Sequence, residues 1–246
     1  STRTPPGHAN ASLALANGER VILIDAGGDL PARLERAGLK PRNVTDVIVT
    51  HSHPDHTYGL PFLSHSFYHG HTEVTCWSTE EAIPRLRDSL EAYDLQEPDK
   101  YMDVHFEPIP VTDQSDLPLT ETLTLTSFPA KHSRDAFGLI LESNRQKIVF
   151  SGDTEPFSEL REIGENAEVL IHDCQGLHGY QRYYEGSHTS ALELGRIASD
   201  LSVNVLVPFH HNLVEVPGDW NEIGSEIREH FDGSIVYPRQ GMGFVL

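Results

Sequence analysis

His51-Ser52-His53-Pro54-Asp55-His56 follows the β-branched run Val44 to Val49 after one intervening Thr, and the reading of the chain turns on these six residues. The apolar run predicts a buried strand. In an extended continuation His51 and His53 point the same way, and Pro54 biases His53 away from helix, so both imidazoles can approach one ion. Asp55 and His56 lie past the bend. Four ligands from so short a stretch would crowd one tetrahedral ion, whereas two ions about 3.5–4 Å apart could take two each, with further ligands from elsewhere. The plain alternative is a polar loop with solvated imidazoles.

Further metal-capable residues stand where other predicted strands end. Val149-Phe150 leads to Asp153, Val169-Leu170-Ile171 to His172 and Asp173, and Val205-Leu206-Val207 to His210. Ligand sites in α/β sheets gather at such ends. The chain also carries 15 His in 246 residues, and His is the commonest metal ligand.

Composition narrows the function. With 18 Lys plus Arg against 37 Asp plus Glu, the net charge is −19, which repels long polyanions and excludes a general nucleic-acid coat protein. No apolar run reaches membrane-spanning length. Cys76 and Cys174 alone cannot build a disulfide scaffold or a thiolate zinc cluster. No charged-then-apolar leader precedes Ser1, so a cytoplasmic protein is expected.

Alternating runs at Ser12 to Ala16 and Val21 to Asp25 flank Asn17-Gly18, a hairpin signal, and predict an opening β-meander. Leu30 to Ala37 reads as a helix stopped by Gly38. Ser78 to Tyr93 reads as a helix with Ser78 and Glu81 at capping-box spacing and Pro84 in its early turns. Asp94 to Pro118 looks irregular. Strands are predicted at Leu123 to Phe128, Phe137 to Leu141, Ile148 to Phe150, Val169 to Ile171 and Val203 to Val207. Helices are predicted at Phe157 to Ile163, Ser190 to Asp200 and Trp220 to Phe231. Each half runs from strands to helices, which suits a four-layer αββα sandwich of two sheets packed face to face, built as a single domain over residues 1–246.

His51 to His56 resembles the HxHxDH signature of the metallo-β-lactamase superfamily, and Tyr58-Gly59-Leu60-Pro61 resembles the helix start that follows it there. Ala130-Lys131-His132-Ser133, Ser151-Gly152-Asp153-Thr154, Leu170-Ile171-His172-Asp173, His188-Thr189-Ser190-Ala191 and Phe209-His210-His211 occur in the order found in its ribonuclease Z-like phosphodiesterase branch. The resemblance implies that His51, His53 and His132 bind one divalent ion, that Asp55, His56 and His210 bind the other, and that Asp153 bridges them. Zinc is the first expectation and manganese the second. His211 stays open as an alternative to His210. Taken alone, His132 could be a core or surface His, and Asp153 a helix cap beside Thr154.

The implied chemistry is hydrolysis by a hydroxide generated between two cations, with Asp55 and His188 as catalytic residues and His188 serving the leaving group. His188 could instead be an ordinary residue at a helix start. Asp173 or His172 could orient a ligand or be hydrogen-bonded core groups. Gly179 to Tyr184 offers Arg182 and Tyr183 for substrate binding, or is a packed loop. His65, His69 and His71 read as surface or hydrogen-bonded, and His8 is unassigned.

Transfer-RNA processing enzymes of the branch carry a long arm between the positions matching His132 and Asp153. Here those residues are 21 positions apart, room for two strands and a turn. The expected substrate is therefore a small phosphodiester such as a cyclic nucleotide, with no stable nucleic-acid complex, no membrane partner and, by resemblance, a homodimer. The alternatives are transfer-RNA 3′ processing, thioester or lactone hydrolysis, and a non-catalytic metal-binding scaffold or sensor.

Overall fold

A computed structural model describes residues 10–68, 72–117, 119, 123–143, 146–212, 218–239 and 241–243. The opening hairpin forms, with β1 (Leu13–Asn17) antiparallel to β2 (Arg20–Ile24), but its two-residue turn is Gly18-Glu19 rather than Asn17-Gly18, because Asn17 pairs with Arg20 as the last rung of the ladder. The meander stops there. Helix α1 (Leu30–Arg36) carries the chain across, and β3 (Val44–Val49) joins β2 in parallel. Parallel neighbours need such a crossover. Helices α2 (Pro54–Thr57) and α3 (Gly59–His65) follow, and β4 (Thr72–Ser78) lies parallel to β3.

Two expectations fail in the next stretch. Ser78 is not a helix cap: it ends β4, and its hydroxyl donates to the Val49 carbonyl at 2.7 Å. The helix, α4, runs Ala82–Glu91, and Thr79 Oγ1 accepts the Ala82 amide at 3.1 Å. The segment expected to be irregular holds β5 (Met102–Pro108), parallel to β4, and β6 (Ser115–Leu117). Met102, Val104 and Phe106 alternate onto the core with Asp103, His105 and Glu107 between them. The Pro- and Asp-rich flanks hide that period of two.

The second half supplies β7 (Thr124–Pro129), β8 (Phe137–Glu142), β9 (Lys147–Phe150), α5 (Leu160–Ile163), β10 (Val169–Asp173), α6 (Ala191–Asp200), β11 (Val205–Phe209), α7 (Trp220–Arg228) and β12 (Ser234–Ile235). The Ser190–Glu193 capping box forms, with Ser190 Oγ accepting the Glu193 amide. The strands build a five-stranded sheet in order β1-β2-β3-β4-β5 and a seven-stranded sheet in order β12-β11-β10-β9-β8-β7-β6.

Alternating side chains sort into three apolar layers. Val21, Leu23, Val47 and Val49 face α1, α3 and α4, whereas Ile22, Ile24 and Ile48 face the other sheet. There they meet Leu125, Phe137, Leu139 and Phe150, while Val149, Leu170 and Leu206 pack outward on α5, α6 and α7. This is the αββα sandwich. Because β7 is antiparallel to β8 and β8 to β9, the C-terminal end of β7 lies at the same rim as those of β9, β10 and β11. No helix among the described residues is long and apolar enough to cross a membrane.

Gly59 joins α3 to the end of β2. Its amide donates to the Ala26 carbonyl at 2.7 Å, and a Cβ there would lie 2.5 Å from that oxygen and 2.6 Å from the Gly28 carbonyl. Backbone atoms on both sides cannot move aside as a side chain would. Gly59→Ala is expected to destabilise the protein by about 1–3 kcal/mol, read as a lowered midpoint of thermal unfolding. An unchanged midpoint would show that this junction is slack.

Candidate metal centre

Strand ends from both sheets converge at the rim. His51 follows β3, His53 caps α2, and Asp55 and His56 lie within α2. His132 follows β7, Asp153 follows β9 and His210 follows β11. Two local features aim the far pair. Gly152 takes φ +61 in the bend before Asp153, where a Cβ would meet the Phe137 carbonyl. His210 itself holds φ +65, an uncommon conformation for a residue with a Cβ, and so turns its ring into the cluster.

His53 Nδ1 stands 3.0 Å from both His51 Nε2 and His132 Nε2. The other nitrogen of each flanking ring is engaged: His51 Nδ1 with Thr50 Oγ1 at 3.1 Å, His132 Nδ1 with the Ser187 carbonyl at 2.7 Å. Their Nε2 lone pairs therefore face His53, which can donate a proton to only one of them. In a second group, His56 Nε2 and His210 Nε2 approach to 3.3 Å, with Asp55 Oδ2 3.3 Å from His210 Nε2. Donors about 2.0–2.1 Å from one tetrahedral ion stand roughly 3.3 Å apart, so the spacing fits a cation in each group.

Asp153 ties the groups together. Its Oδ2 is 3.7 Å from His51 Nε2, 3.3 Å from His56 Nε2 and 3.2 Å from His210 Nε2. Its Oδ1 is buried without a hydrogen-bond partner among the described residues. A buried carboxylate with an unsatisfied oxygen is costly unless a cation takes it. The donor set is imidazole and carboxylate with no thiolate, suited to zinc or manganese.

The structure thus brings together His51, His53, Asp55, His56, His132, Asp153 and His210. His211 goes elsewhere: its Nδ1 meets the Gln175 carbonyl at 2.9 Å and its ring lies against Trp220. His188 sits at the edge of the cluster, its ring stacked on His210 at 5.1 Å and its Nδ1 2.8 Å from Asp173 Oδ2. Asp173 thereby fixes the His188 ring, whereas His172 Nδ1 binds the Asp173 carbonyl. Tyr183 is 66% exposed with the Arg182 guanidinium over its ring at 4.8 Å. His65 stacks with Tyr68 and Tyr101, away from the cluster. His8, His69 and His71 lie outside the described residues.

Sequence reasoning missed the residues behind the donors. Asp25, at φ +62 just past β2, accepts from the Thr50 amide at 2.8 Å and the Thr50 hydroxyl at 2.9 Å, and its Oδ2 takes His56 Nδ1 at 2.9 Å. One buried carboxylate so orients His56 directly and His51 through Thr50. Gln175 Oε1 does the same for His210 Nδ1 at 3.1 Å. The only sequence signal was an Asp directly after an apolar strand.

Burial lowers the pKa of His51 well below the ordinary imidazole range, lowers that of His53, and brings His132 to about 4 and His210 to about 3. His56 goes the other way: burial disfavours its charge, but Asp153 and Asp25 outweigh it and hold the pKa well above the usual range. Burial likewise opposes ionisation of Asp55 and Asp153, and the surrounding imidazoles overcome it, holding both carboxyls well below the usual range. For His188, burial is outweighed by Asp173, which raises its pKa.

A raised pKa keeps a competing proton on His56 through neutrality, whereas lowered values keep His51, His53 and His132 receptive into acid. Metal content, measured after dialysis across a pH series, is expected to fall first at the Asp55–His56–His210 group as pH drops, leaving about one ion per chain before the His51–His53–His132 group empties at lower pH. Simultaneous loss of both ions would contradict this order. Asp25→Asn is expected to weaken metal binding about 10- to 100-fold in competition with a chelator, because His56 loses the acceptor that orients it.

Residues 20–211 match the Beta-lactamase superfamily domain. A ribonuclease Z from Bacillus licheniformis is 26% identical over 233 residues, covering 72% of this chain and 74% of the relative. Among solved structures, the metallo-beta-lactamase fold protein YhfI from Bacillus subtilis superposes with a TM-score of 0.79 at 16% identity, covering 97% and 92% of the two chains. The short form of human tRNase Z gives 0.77 at 17% identity, covering 97% and 93%. With its fold shared and most of its length matched, the chain belongs to the beta-lactamase superfamily.

Proposed function

We infer that the protein is a two-metal-dependent phosphodiesterase acting on a small substrate such as a cyclic nucleotide. The observation that carries this reading is the shared carboxylate: Asp153 Oδ2 lies within 3.7 Å of ring nitrogens from both donor groups. Two divalent cations, zinc first and manganese second, held by His51, His53 and His132 on one side and Asp55, His56 and His210 on the other, would supply Lewis acidity and a hydroxide near neutral pH. The remaining work falls to the chain. His188, with Nδ1 engaged by Asp173, presents Nε2 to the leaving oxygen and gives it a proton. Asp55 holds its group open to the phosphate, and Arg182 with Tyr183 offers a cation and an aromatic face for the rest of the substrate.

Two observations support a small substrate. The 20 residues between His132 and Asp153 are taken up by β8, β9 and their connections, leaving no length for an RNA-gripping arm. A net charge of −19 opposes polyanion binding. The second reading, processing of transfer-RNA precursors, is favoured by the relatives named ribonuclease Z and tRNase Z. The proposal further places the protein in the cytoplasm as a homodimer, which light scattering would test.

Purified protein loaded with zinc or manganese is expected to hydrolyse cyclic mononucleotides, in a panel that includes linear phosphodiesters, a transfer-RNA precursor, a thioester and a lactone. Turnover of the precursor alone would overturn the small-substrate reading. His188→Ala is expected to lower kcat by about 10²- to 10⁴-fold with metal content unchanged. Loss of metal in that variant would reassign His188 as a ligand.

A further inference from the structure

A cavity of about 550 Å³ opens beside the metal centre, with His132 in its wall and the rest of the turn from Ala130 to Ala136 forming its floor. Its volume suits a small-molecule site. Two cations of this acidic chain, Lys131 and Arg134, flank the proposed ligand His132 and line that cavity. The turn is held rigid. The Lys131 amide donates to Thr154 Oγ1 at 3.1 Å, the Lys131 carbonyl accepts the Glu155 amide at 2.8 Å, and the Ala130 amide meets the Ala136 carbonyl at 3.0 Å.

Arg134 is half-exposed beside an acidic neighbour. Its guanidinium lies 3.8 Å from Glu81, which also accepts the Ser52 hydroxyl at 2.8 Å and pairs with Arg85 at 3.0 Å. Glu81 is thus shared between two guanidiniums, so Arg134 is not neutralised by it alone, and the Ser52 hydrogen bond ties this carboxylate to the HxHxDH loop. Lys131 adds a second exposed cation. Asp135 and Glu155 also line the space. They disfavour a heavily charged polyanion and are acceptors for hydroxyl groups. Cations beside carboxylates match a sugar bearing one further phosphate.

We propose that Lys131 and Arg134 form a specificity subsite that binds a second phosphate on the sugar of the substrate, next to the phosphodiester held at the metal centre. The inference rests on the phosphodiesterase reading for its substrate class, and it ranks a cyclic nucleotide carrying an additional phosphate above one without.

The test compares adenosine 2′,3′-cyclic phosphate with its 5′-phosphorylated form. Metal-loaded wild-type protein is expected to favour the 5′-phosphorylated compound by about tenfold or more in kcat/KM, chiefly through KM. Lys131→Gln combined with Arg134→Gln is expected to abolish that ratio at two metal ions per chain, while Lys100→Gln, remote on an exposed turn, keeps it. A wild-type ratio near one, or a ratio unchanged in the double variant, would overturn the subsite. Binding of the products is measured separately by calorimetry, with adenosine 2′,5′-bisphosphate against adenosine 2′-monophosphate. A preference of about tenfold for the bisphosphate, lost in the double variant, supports the subsite even if neither cyclic compound is turned over, in which case the phosphodiesterase reading alone fails. Equal binding of the two products rejects the subsite even if cyclic nucleotides are hydrolysed.

Discussion

Asp153 is 1% exposed and ionised, surrounded by imidazoles that arrive from both sheets. A buried carboxylate is stable only while its partners hold their places. Everything around the rim serves that condition. Asp25 and Gln175 fix His56 and His210 from behind, Thr50 and the Ser187 carbonyl fix His51 and His132, and the bends at Gly152 and His210 point the donors inward. The three apolar layers locate the strand ends to which those donors are attached.

The same electrostatics divide the cluster. Burial strips the proton from His51, His53, His132 and His210, while the carboxylates keep one on His56. The first donor group is three imidazoles and the second two imidazoles with the Asp55 carboxylate, and of the five imidazoles only His56 is shifted toward its charged form. Burial and neighbouring carboxylates thus make the two halves of the centre unequal.

Much of this was legible in the sequence because its signals are local. The six-residue loop carries four donors, and strand runs ending in Asp153 and His210 announce where others stand. The succession of strand runs and then helices in each half pointed to the two-sheet sandwich. What was not legible depends on tertiary geometry. His210 and His211 differ only in which one adopts the left-handed turn. Asp25 is one acidic residue among many until β2 and β3 pair. Ser78 and Glu81 match a capping box, but β4 runs on to Ser78, and Glu81 binds Ser52, Arg85 and Arg134 instead. Strand β5 needs its neighbour β4 before its weak alternation means anything.

His56 and His210 meet across 154 residues of chain. During biosynthesis the loop that bears His56 emerges, and its own sheet can close, long before β11 exists to deliver the opposing ring. Contacts of such long range form late, after the costly closure of the intervening chain. Until then Asp25, the backbone bonds to His53 and Ala26, and the His51 ring hold His56 in place. The N-terminal half thus carries four of the donors but completes neither group, and the rim is finished only when β11 docks.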